Sequence, residues 1–308
     1  MKDVLLIVGP TGVGKTKLSI ILANILKTEI ISADSMQIYR GMDIGTAKVD
    51  VEIQKKIKHH LIDIVNPNQE YNVSNFQKDS LKIINNLLNE EKMPIVVGGT
   101  GLYINSIVYD LEFGKSEPDE EYRDKLWEIY NSQGINPILD KLNKVDPDSL
   151  KTIDPNNVKR VIRALEYYHS NGRLYSQDSK NFRKENKDYD FHIYCLHETR
   201  KNLYDRINNR VDEMIDSGLI DEVKNLLDFY DENIVAFKAI GYKEVIDYLN
   251  GKTDFDEMVM LLKRNSRRLA KRQYTWFRRD SRIIWLDIEE YDYDFGRISN
   301  DILRDIYE

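Results

Sequence analysis

The segment that decides the fold runs from Val4 to Thr16 and reads VLLIVGPTGVGKT. It begins with an apolar stretch of strand length, which leads directly into the pattern Gly-x-x-x-x-Gly-Lys-Thr. The apolar residues that follow recur at helical spacing, at Leu18, Ile21, Leu22 and Ile25. The order of strand, glycine-rich loop and helix is the context that a phosphate-binding loop requires, and a chance glycine-rich turn does not account for it.

The loop residues predict a site for the phosphates of a di- or triphosphate. Glycines let backbone N–H groups turn towards a phosphate, and the N-terminus of the following helix adds the positive end of its dipole. Lys15 is placed to reach the terminal phosphate, and the hydroxyl of Thr16 to bind Mg²⁺. The predicted phosphate-binding residues are Gly9, Pro10, Thr11, Gly12, Val13, Gly14, Lys15 and Thr16.

The composition limits the classes of protein that the chain can belong to. With 308 residues, of which 41% are hydrophobic and 31% charged, we expect a globular protein with two modules or one domain carrying an insertion. No apolar run approaches about 18 residues and no charged-then-apolar leader is visible, so we expect no membrane span, no secretory signal and a cytoplasmic location. The single cysteine, Cys195, excludes a disulfide framework and a cysteine-rich zinc site, and we interpret it as a buried apolar residue.

Further apolar runs predict additional strands of a parallel sheet. They lie at Glu29–Ser35, His59–Val65, Met93–Gly98 and Phe191–Leu196, with helical patterns between them. In open α/β sheets, ligands and catalytic groups gather at the carboxyl ends of the strands. Asp34 occupies this position at the end of the second predicted strand.

The predicted strand that begins at Met93 ends without an acidic residue. In an ATPase a carboxylate is expected at the end of such a strand, where it holds Mg²⁺. Here the strand leads into the sequence Gly-Gly-Thr-Gly from Gly98 to Gly101, which offers close backbone approach and one hydroxyl. The pattern therefore disfavours an ATPase.

Two adjacent histidines, His59 and His60, raise the question of a metal site. Neighbouring side chains on a strand point to opposite faces, so these two cannot easily share one ion. A zinc site would also need further ligands, which the sequence does not indicate. We therefore expect a structural role, with metal ligation as the alternative.

The composition changes between about Glu117 and Asp190. Charged and polar residues increase, prolines occur and strand-like runs disappear, while helices are predicted at residues 121–131 and 157–168. We interpret residues 117–190 as an all-helical insertion domain in a P-loop α/β core that consists of residues 1–116 and 191–308. Two further helices are predicted in the core, at residues 74–88 and 203–215.

A basic run extends from Lys263 to Arg279 and contains no acidic residue. Aromatic residues are interleaved with the positive charges, at Tyr274, Trp276 and Phe277. A solvated helix face is usually mixed in sign, so this run favours binding of nucleic acid or phosphate even though the net charge is −7. The alternative is packing against the acidic segment Asp287–Glu290.

Four segments give the chain a resemblance to the bacterial tRNA dimethylallyltransferases, also called tRNA isopentenyltransferases. They are Gly9–Thr16, Asp34–Lys48, Gly98–Tyr103 and Arg267–Arg278, and Ala239–Glu244 is a shorter fifth match. The segments extend over nearly the full length of the chain and follow the order found in the family. The second is very specific, whereas the first is shared with many nucleotide-binding proteins.

The resemblance implies transfer of a dimethylallyl group from dimethylallyl pyrophosphate to N6 of adenine 37, which lies beside the anticodon of tRNA. The phosphate loop would then hold a prenyl pyrophosphate and Mg²⁺ rather than ATP. The catalytic residues would be Asp34 as general base, Lys15 and Arg210 on the leaving pyrophosphate, and Thr100 near the reacting centre. From the residues alone, Asp34 could instead cap a helix, and Arg210 could belong to a surface charge pair.

The same resemblance implies that the insertion domain grips the anticodon stem-loop of a tRNA. A base inside a folded loop must be extruded before an enzyme can reach it. We expect a monomer that binds no membrane. The implied tRNA-binding residues are Asp34, Ser35, Met36, Gln37, Thr100, Arg123, Lys159, Arg160, Arg163, Gly241, Tyr242, Lys243, Lys271, Arg272, Gln273, Trp276 and Arg278.

Two other functions remain open from the sequence. A prenyltransferase that acts on free adenine nucleotides would use the same phosphate loop, but it would need neither the insertion nor the basic run. An ATP-driven or non-catalytic RNA-binding protein would explain the basic run, but not the missing carboxylate at the strand end or the specific segment that begins at Asp34.

Overall fold

The strand of the phosphate loop lies inside a six-stranded parallel sheet. The computed structural model describes residues 2–109, 111, 119–180 and 184–308. Across the sheet the strand order is β3-β2-β4-β1-β5-β6, and every neighbouring pair is parallel. The predicted α/β class is therefore confirmed. In chain order the strands are β1 (Asp3–Val8), β2 (Ile30–Ser32), β3 (His59–His60), β4 (Ile95–Gly98), β5 (Asp190–His197) and β6 (Ile284–Asp287).

Helices connect these strands and cover both faces of the sheet. None of the helices in the described residues is both long enough and apolar enough to pass through a bilayer. Single turns of 3-10 helix occur at Ser149–Lys151 and Ala236–Lys238. The α-helices are α1 (Lys15–Leu26), α2 (Val51–Lys56), α3 (Val73–Asn89), α4 (Gly101–Val108), α5 (Glu120–Gln133), α6 (Asn136–Val145), α7 (Val158–Asn171), α8 (Tyr175–Lys180), α9 (Arg200–Asp216), α10 (Leu219–Leu227), α11 (Tyr242–Leu249), α12 (Phe255–Phe277) and α13 (Phe295–Tyr307).

The alternation of side chains along β1 builds a core on each face of the sheet. Leu5 and Ile7 pack with apolar residues of α1, α9 and α13 on one face. Val4 and Leu6 pack with residues of α3 and α4 on the other face. Because β1 is apolar on both sides, it is buried in the middle of three layers, and the phosphate loop starts from a rigid strand.

Two strands differ from the sequence analysis. The strand predicted at His59–Val65 is confirmed only in part: β3 covers His59 and His60, and Val65 forms an isolated parallel bridge with Tyr39. The backbone turns between them, at Leu61 and Asp63, where φ is 61° and 55°. The short strand β6 was not predicted, although it overlaps the apolar run Ile283–Leu286.

The described residues form two compact units. The first consists of Met1–Val108 and Lys187–Glu308 and contains the sheet. The second, Tyr109–Asn186, contains α5, α6, α7 and α8 and no strand of the sheet among its described residues. Its own core is formed by Leu126, Ile138, Leu142, Ile153, Val161, Ile162, Ala164 and Leu165.

Candidate active site

The phosphate loop depends on glycine at both of its ends. Gly9 and Gly14 have φ values of 140° and 97°, a region that side-chain-bearing residues rarely adopt. A Cβ atom on Gly9 would lie 2.8 Å from the carbonyl oxygen of Leu196, and one on Gly14 would lie 2.4 Å from the ring of Phe295. The loop therefore passes close to β5 and α13 before α1 begins at Lys15.

Lys15 carries a positive charge that the surrounding protein does not fully compensate. Its Nζ donates a hydrogen bond of 2.7 Å to the carbonyl oxygen of Pro10. The pKa of Lys15 is lowered to about 8, first by burial of the ammonium group and then by the positive charge of Arg210, whereas Asp34 acts in the opposite direction. An anion bound beside Lys15 would stabilise its charged form.

Arg210 reaches the phosphate loop from α9. Its Nη1 donates to Oγ1 of Thr11 at 3.2 Å. Burial lowers the pKa of Arg210, and the negative charge of Asp34 opposes this decrease. Arg210 is therefore directed at the loop, and the alternative of a surface charge pair is wrong for this residue. A cation from α9 and the lysine of the loop face the same site.

Asp34 lies two residues after the end of β2, at the carboxyl edge of the sheet. Its Oδ1 accepts a hydrogen bond of 2.9 Å from the backbone N–H of Met36. The helix-cap alternative is wrong, because the residues after Asp34 form turns and the next helix, α2, is capped by Asp50. Thr100 is fixed next to this segment, since its Oγ1 accepts a hydrogen bond of 3.0 Å from the backbone N–H of Ser35. The end of β2 and the loop after β4 thus meet at Asp34.

Two side chains of α12 hold the backbone around Thr100. Gln273 accepts a hydrogen bond of 2.9 Å from the N–H of Thr11 and donates one of 3.0 Å to the carbonyl oxygen of Gly99. Trp276 packs so closely on Gly101 that a Cβ atom there would lie 2.2 Å from its Cδ1. The sequence assigned both side chains only to RNA contact and did not predict these contacts.

The segment after Asp34 is anchored by Glu222, a residue that the sequence did not single out. Its carboxylate accepts backbone hydrogen bonds from Asp43, Ile44 and Gly45 at 2.9, 2.7 and 3.1 Å. It also accepts a hydrogen bond of 2.6 Å from the hydroxyl of Tyr242. Nothing in the pattern of α10 distinguishes Glu222 from an ordinary surface carboxylate, so only the fold identifies its role.

Tyr242 itself is fully buried, so its side chain cannot contact RNA in this conformation. Gly241 is buried as well, whereas Lys243 beside them is exposed. Gln37 is half-buried, and its Oε1 accepts a hydrogen bond of 2.9 Å from Oγ of Ser32. Among these residues assigned to RNA, Lys243 offers a freely accessible charge.

The basic run presents most of its charges to solvent. Lys263 forms an ion pair of 2.6 Å with Asp212, and Arg267 donates a hydrogen bond of 2.5 Å to Asn208. Among the described residues, no ion pair joins the run to Asp287–Glu290, so packing against this acidic segment does not explain it. The exposed members are Arg264, Arg268, Lys271, Arg272, Arg278 and Arg279.

The second unit divides its predicted RNA-binding residues into two groups. Nη2 of Arg123 and Nη1 of Arg163 lie 2.6 and 3.1 Å from the carboxylate oxygens of the buried Glu166. Both arginines therefore form ion pairs within the unit. Lys159 and Arg160 are exposed in the first turn of α7.

The histidines and the cysteine have structural surroundings. Nε2 of His60 lies 2.6 Å from a carboxylate oxygen of Glu29, and Nδ1 of His59 lies 2.7 Å from the carbonyl oxygen of Ile57. Neither histidine belongs to a cluster of metal-binding side chains within the described residues. Cys195 is buried, which raises its pKa to about 12 and confirms its interpretation as an unreactive apolar residue.

Glu198 is a second carboxylate that the sequence did not identify. It follows β5 directly, and its side chain has no exposed surface. Burial raises the pKa of Glu198 to about 7, and Glu289 also raises it, whereas Arg206, whose Nε lies 3.4 Å from the carboxylate, acts in the opposite direction. Glu198 is therefore a buried acid that changes its charge near neutral pH.

The parallel sheet with a glycine-rich loop after its central strand defines a P-loop α/β protein. Two solved structures support this class over almost the whole chain. A tRNA isopentenylpyrophosphate transferase from Bacillus halodurans is 43% identical and has a TM-score of 0.73, with 98% of this chain and 96% of that chain covered. A eukaryotic dimethylallyltransferase acting on tRNA is 29% identical and has a TM-score of 0.85, with 99% of this chain and 80% of that chain covered.

A family model described as IPP transferase matches residues 37–280, and the chain belongs to this family. Its relatives include the tRNA dimethylallyltransferase of Alkaliphilus oremlandii, which is 52% identical over 94% of this chain and 93% of its own length. The tRNA dimethylallyltransferase of Finegoldia magna is 48% identical over 100% of this chain and 98% of its own length.

We predict that Glu198→Gln stabilises the protein in a pH-dependent manner. The pKa of about 7 lies above the usual 4.5, so folded protein retains a proton that the unfolded chain has released. The stability that this proton provides is present below pH 4.5 and is lost as the pH rises through 7. Glutamine keeps the neutral form, so the thermal midpoint at pH 8 should exceed that of the wild type by about 2–4 °C for each kcal/mol recovered.

The difference should shrink towards pH 5, as measured by thermal unfolding across the pH range. The exposed Glu70 provides a matched control, since Glu70→Gln should give no such pH-dependent difference. Equal midpoints for Glu198→Gln and the wild type from pH 5 to 8 would contradict the assignment.

Proposed function

We propose that the protein transfers a dimethylallyl group from dimethylallyl pyrophosphate to N6 of adenine 37 in tRNA and releases pyrophosphate. The observation that carries the proposal is that about half of the residues are identical to those of tRNA dimethylallyltransferases over nearly the full length of the chain. In addition, the phosphate loop faces Asp34. The strand β4, where an ATPase would have a carboxylate, ends at Gly98 and leads into Gly99. A prenyl pyrophosphate therefore fits this loop better than ATP.

The proposed pyrophosphate site consists of the amides of residues 9–16, Lys15 and Arg210. Burial lowers the pKa of both cations, and the positive charge of Arg210 also lowers the pKa of Lys15. The negative charge on the leaving pyrophosphate increases as the carbon–oxygen bond breaks. Both cations and the loop amides then interact more strongly with it than with the substrate, which is the condition for lowering the barrier.

Mg²⁺ fits the donors at the start of α1. The side chain of Thr16 is exposed there, and a hydroxyl oxygen together with pyrophosphate oxygens is the ligand type that Mg²⁺ prefers. We propose that Thr16 is the protein ligand of the ion, which would supply further positive charge to the leaving group.

Asp34 is the proposed general base. The exocyclic amine of adenine is a weak nucleophile because its lone pair is delocalised into the ring. As the bond from N6 to the dimethylallyl carbon forms and the carbon–oxygen bond breaks, a proton must leave N6, and the carboxylate of Asp34 would accept it. Thr100, hydrogen-bonded to Ser35, is proposed to keep this segment in place and to lie near the reacting centre.

The proposed RNA-binding surface combines the segment after Asp34 with exposed basic residues. Adenine 37 would be flipped out of the anticodon loop into the site. Phosphate contacts are proposed for the exposed charges of α12 and for Lys243, and for Lys159 and Arg160 in the insertion of residues 117–190, which we propose grips the anticodon stem-loop. A monomeric state and a cytoplasmic location remain predictions.

The transfer reaction itself provides the test. We expect radiolabelled dimethylallyl pyrophosphate with Mg²⁺ to label unmodified tRNA and not AMP, because only the polymer can use the exposed charges of α12. A tRNA in which adenine 37 is replaced by guanosine is the matched control and should remain unlabelled. Label in AMP would favour the nucleotide prenyltransferase, and label in neither acceptor would contradict the proposed function.

We predict that Asp34→Asn lowers kcat for transfer by about 100-fold or more, since positioned general bases contribute about 10²–10⁴-fold. Asparagine can still accept the hydrogen bond from Met36, so binding of the unreactive analogue dimethylallyl thiopyrophosphate should be retained. Asp50→Asn, at the N-cap of α2, is the control and should leave kcat unchanged because asparagine caps helices as well as aspartate does. Turnover of Asp34→Asn at the wild-type rate would refute the base assignment.

A further inference from the structure

Gln273 connects two parts of the site that are far apart in sequence. Its side-chain amide accepts a hydrogen bond from the N–H of Thr11 in the phosphate loop and donates one to the carbonyl oxygen of Gly99 after β4. Thr11 in turn accepts a hydrogen bond from Arg210. One side chain of α12 therefore joins the loop that would hold pyrophosphate to the segment that carries Thr100.

Trp276 holds the same segment from the next turn of α12. Its indole ring occupies the space that a side chain on Gly101 would need, and its Nε1 donates to Oδ1 of Asn105 at 3.4 Å. Gln273 and Trp276 are three residues apart and thus lie on one face of the helix. They contact the glycines on both sides of Thr100, so the position of α12 determines the position of Thr100.

The helix that makes these contacts also carries exposed positive charge. Lys271 and Arg272 directly precede Gln273, and Arg268 lies one turn earlier, all with exposed side chains. An RNA bound by these charges would contact the same turn of α12 from which Gln273 reaches the phosphate loop.

We infer that Gln273 is a positioning residue that couples RNA binding on α12 to the geometry of the pyrophosphate site. The inference rests on the proposed function, and it replaces the RNA contact that the sequence indicated for this residue. Both polar ends of the Gln273 amide are hydrogen-bonded inside the protein. RNA bound to α12 would favour the position of this helix in which Gln273 binds Thr11 and Gly99, and pyrophosphate on the loop would favour the same position. Such coupling is reciprocal.

The coupling can be measured with an unreactive ligand. In the wild type, a saturating anticodon stem-loop RNA should increase the affinity for dimethylallyl thiopyrophosphate by a factor in the usual range of about 5–150-fold. In Gln273→Met, which keeps the length of the side chain without its hydrogen bonds, this factor should fall towards one. At saturating RNA, kcat should fall by about 10-fold or more, since small misplacements of reacting groups cost up to about 100-fold.

Three further variants separate positioning from other roles. Gln273→Glu keeps the acceptor for Thr11 but places a carboxylate against the carbonyl oxygen of Gly99, so it should reduce kcat as well. Lys271→Ala should raise the Kd for RNA, since Lys271 is one of the exposed charges proposed to contact phosphate. Thr275→Ala is the matched control on α12, since its hydroxyl bonds only to the carbonyl oxygen of Lys271, and its coupling factor should equal that of the wild type.

The outcomes distinguish this inference from the proposed function. If the wild type transfers the dimethylallyl group and Gln273→Met raises only the Kd for RNA, with kcat and the coupling factor unchanged, Gln273 is an RNA contact and the inference is wrong. A wild-type coupling factor of one would also overturn it. If the wild type transfers nothing to tRNA, the proposed function fails first, and the coupling factor alone still reports on the link between α12 and the loop.

Discussion

Two positively charged side chains, Lys15 and Arg210, lie at the phosphate loop, and the chemistry of the site depends on their charge. Lys15 comes from the phosphate loop and Arg210 from α9, and burial lowers the pKa of both. The negative charge of Asp34 opposes this decrease of the pKa for both groups. In the proposed reaction a diphosphate would bind between the two cations and would become more negative as the carbon–oxygen bond breaks. The two cations would then stabilise the departing pyrophosphate more than the bound substrate.

The parallel sheet brings the segments of the site to one edge, and side chains from distant helices hold the backbone of these segments in place. Carboxyl ends of β1, β2 and β4 bring the phosphate loop, Asp34 and Thr100 to the same edge. Beyond these ends, several backbone groups form hydrogen bonds with side chains of distant helices. Gln273 satisfies one group at the phosphate loop and one after β4, and Glu222 satisfies three consecutive groups after β2. Preorganisation of the site therefore lies in α10 and α12.

The sequence predicted those features of the fold that depend on residues close to one another in the chain. The strand, loop and helix around Gly9–Thr16 follow from apolar spacing and glycine, and the parallel sheet follows from several such runs. The role of Gln273 could not be predicted in this way, because its partners lie 262 and 174 residues away. Glu222 gave no signal, since it lies in a segment where carboxylates are common. The burial of Glu198 could not be predicted from its position after an apolar run. The strand predicted at His59–Val65 extends only over His59 and His60, because positive φ angles at Leu61 and Asp63 override the apolar pattern.

The central claim is that the phosphate loop holds pyrophosphate while Asp34 faces the amine that attacks. A crystal structure of the protein with an anticodon stem-loop RNA, dimethylallyl thiopyrophosphate and Mg²⁺ tests it most directly. We predict the diphosphate on the loop amides between Lys15 and Arg210, and N6 of a flipped adenine about 2.6–3.2 Å from the carboxylate of Asp34. A diphosphate bound elsewhere, or an adenine that remains stacked in the RNA loop with Asp34 facing no part of it, would contradict the account.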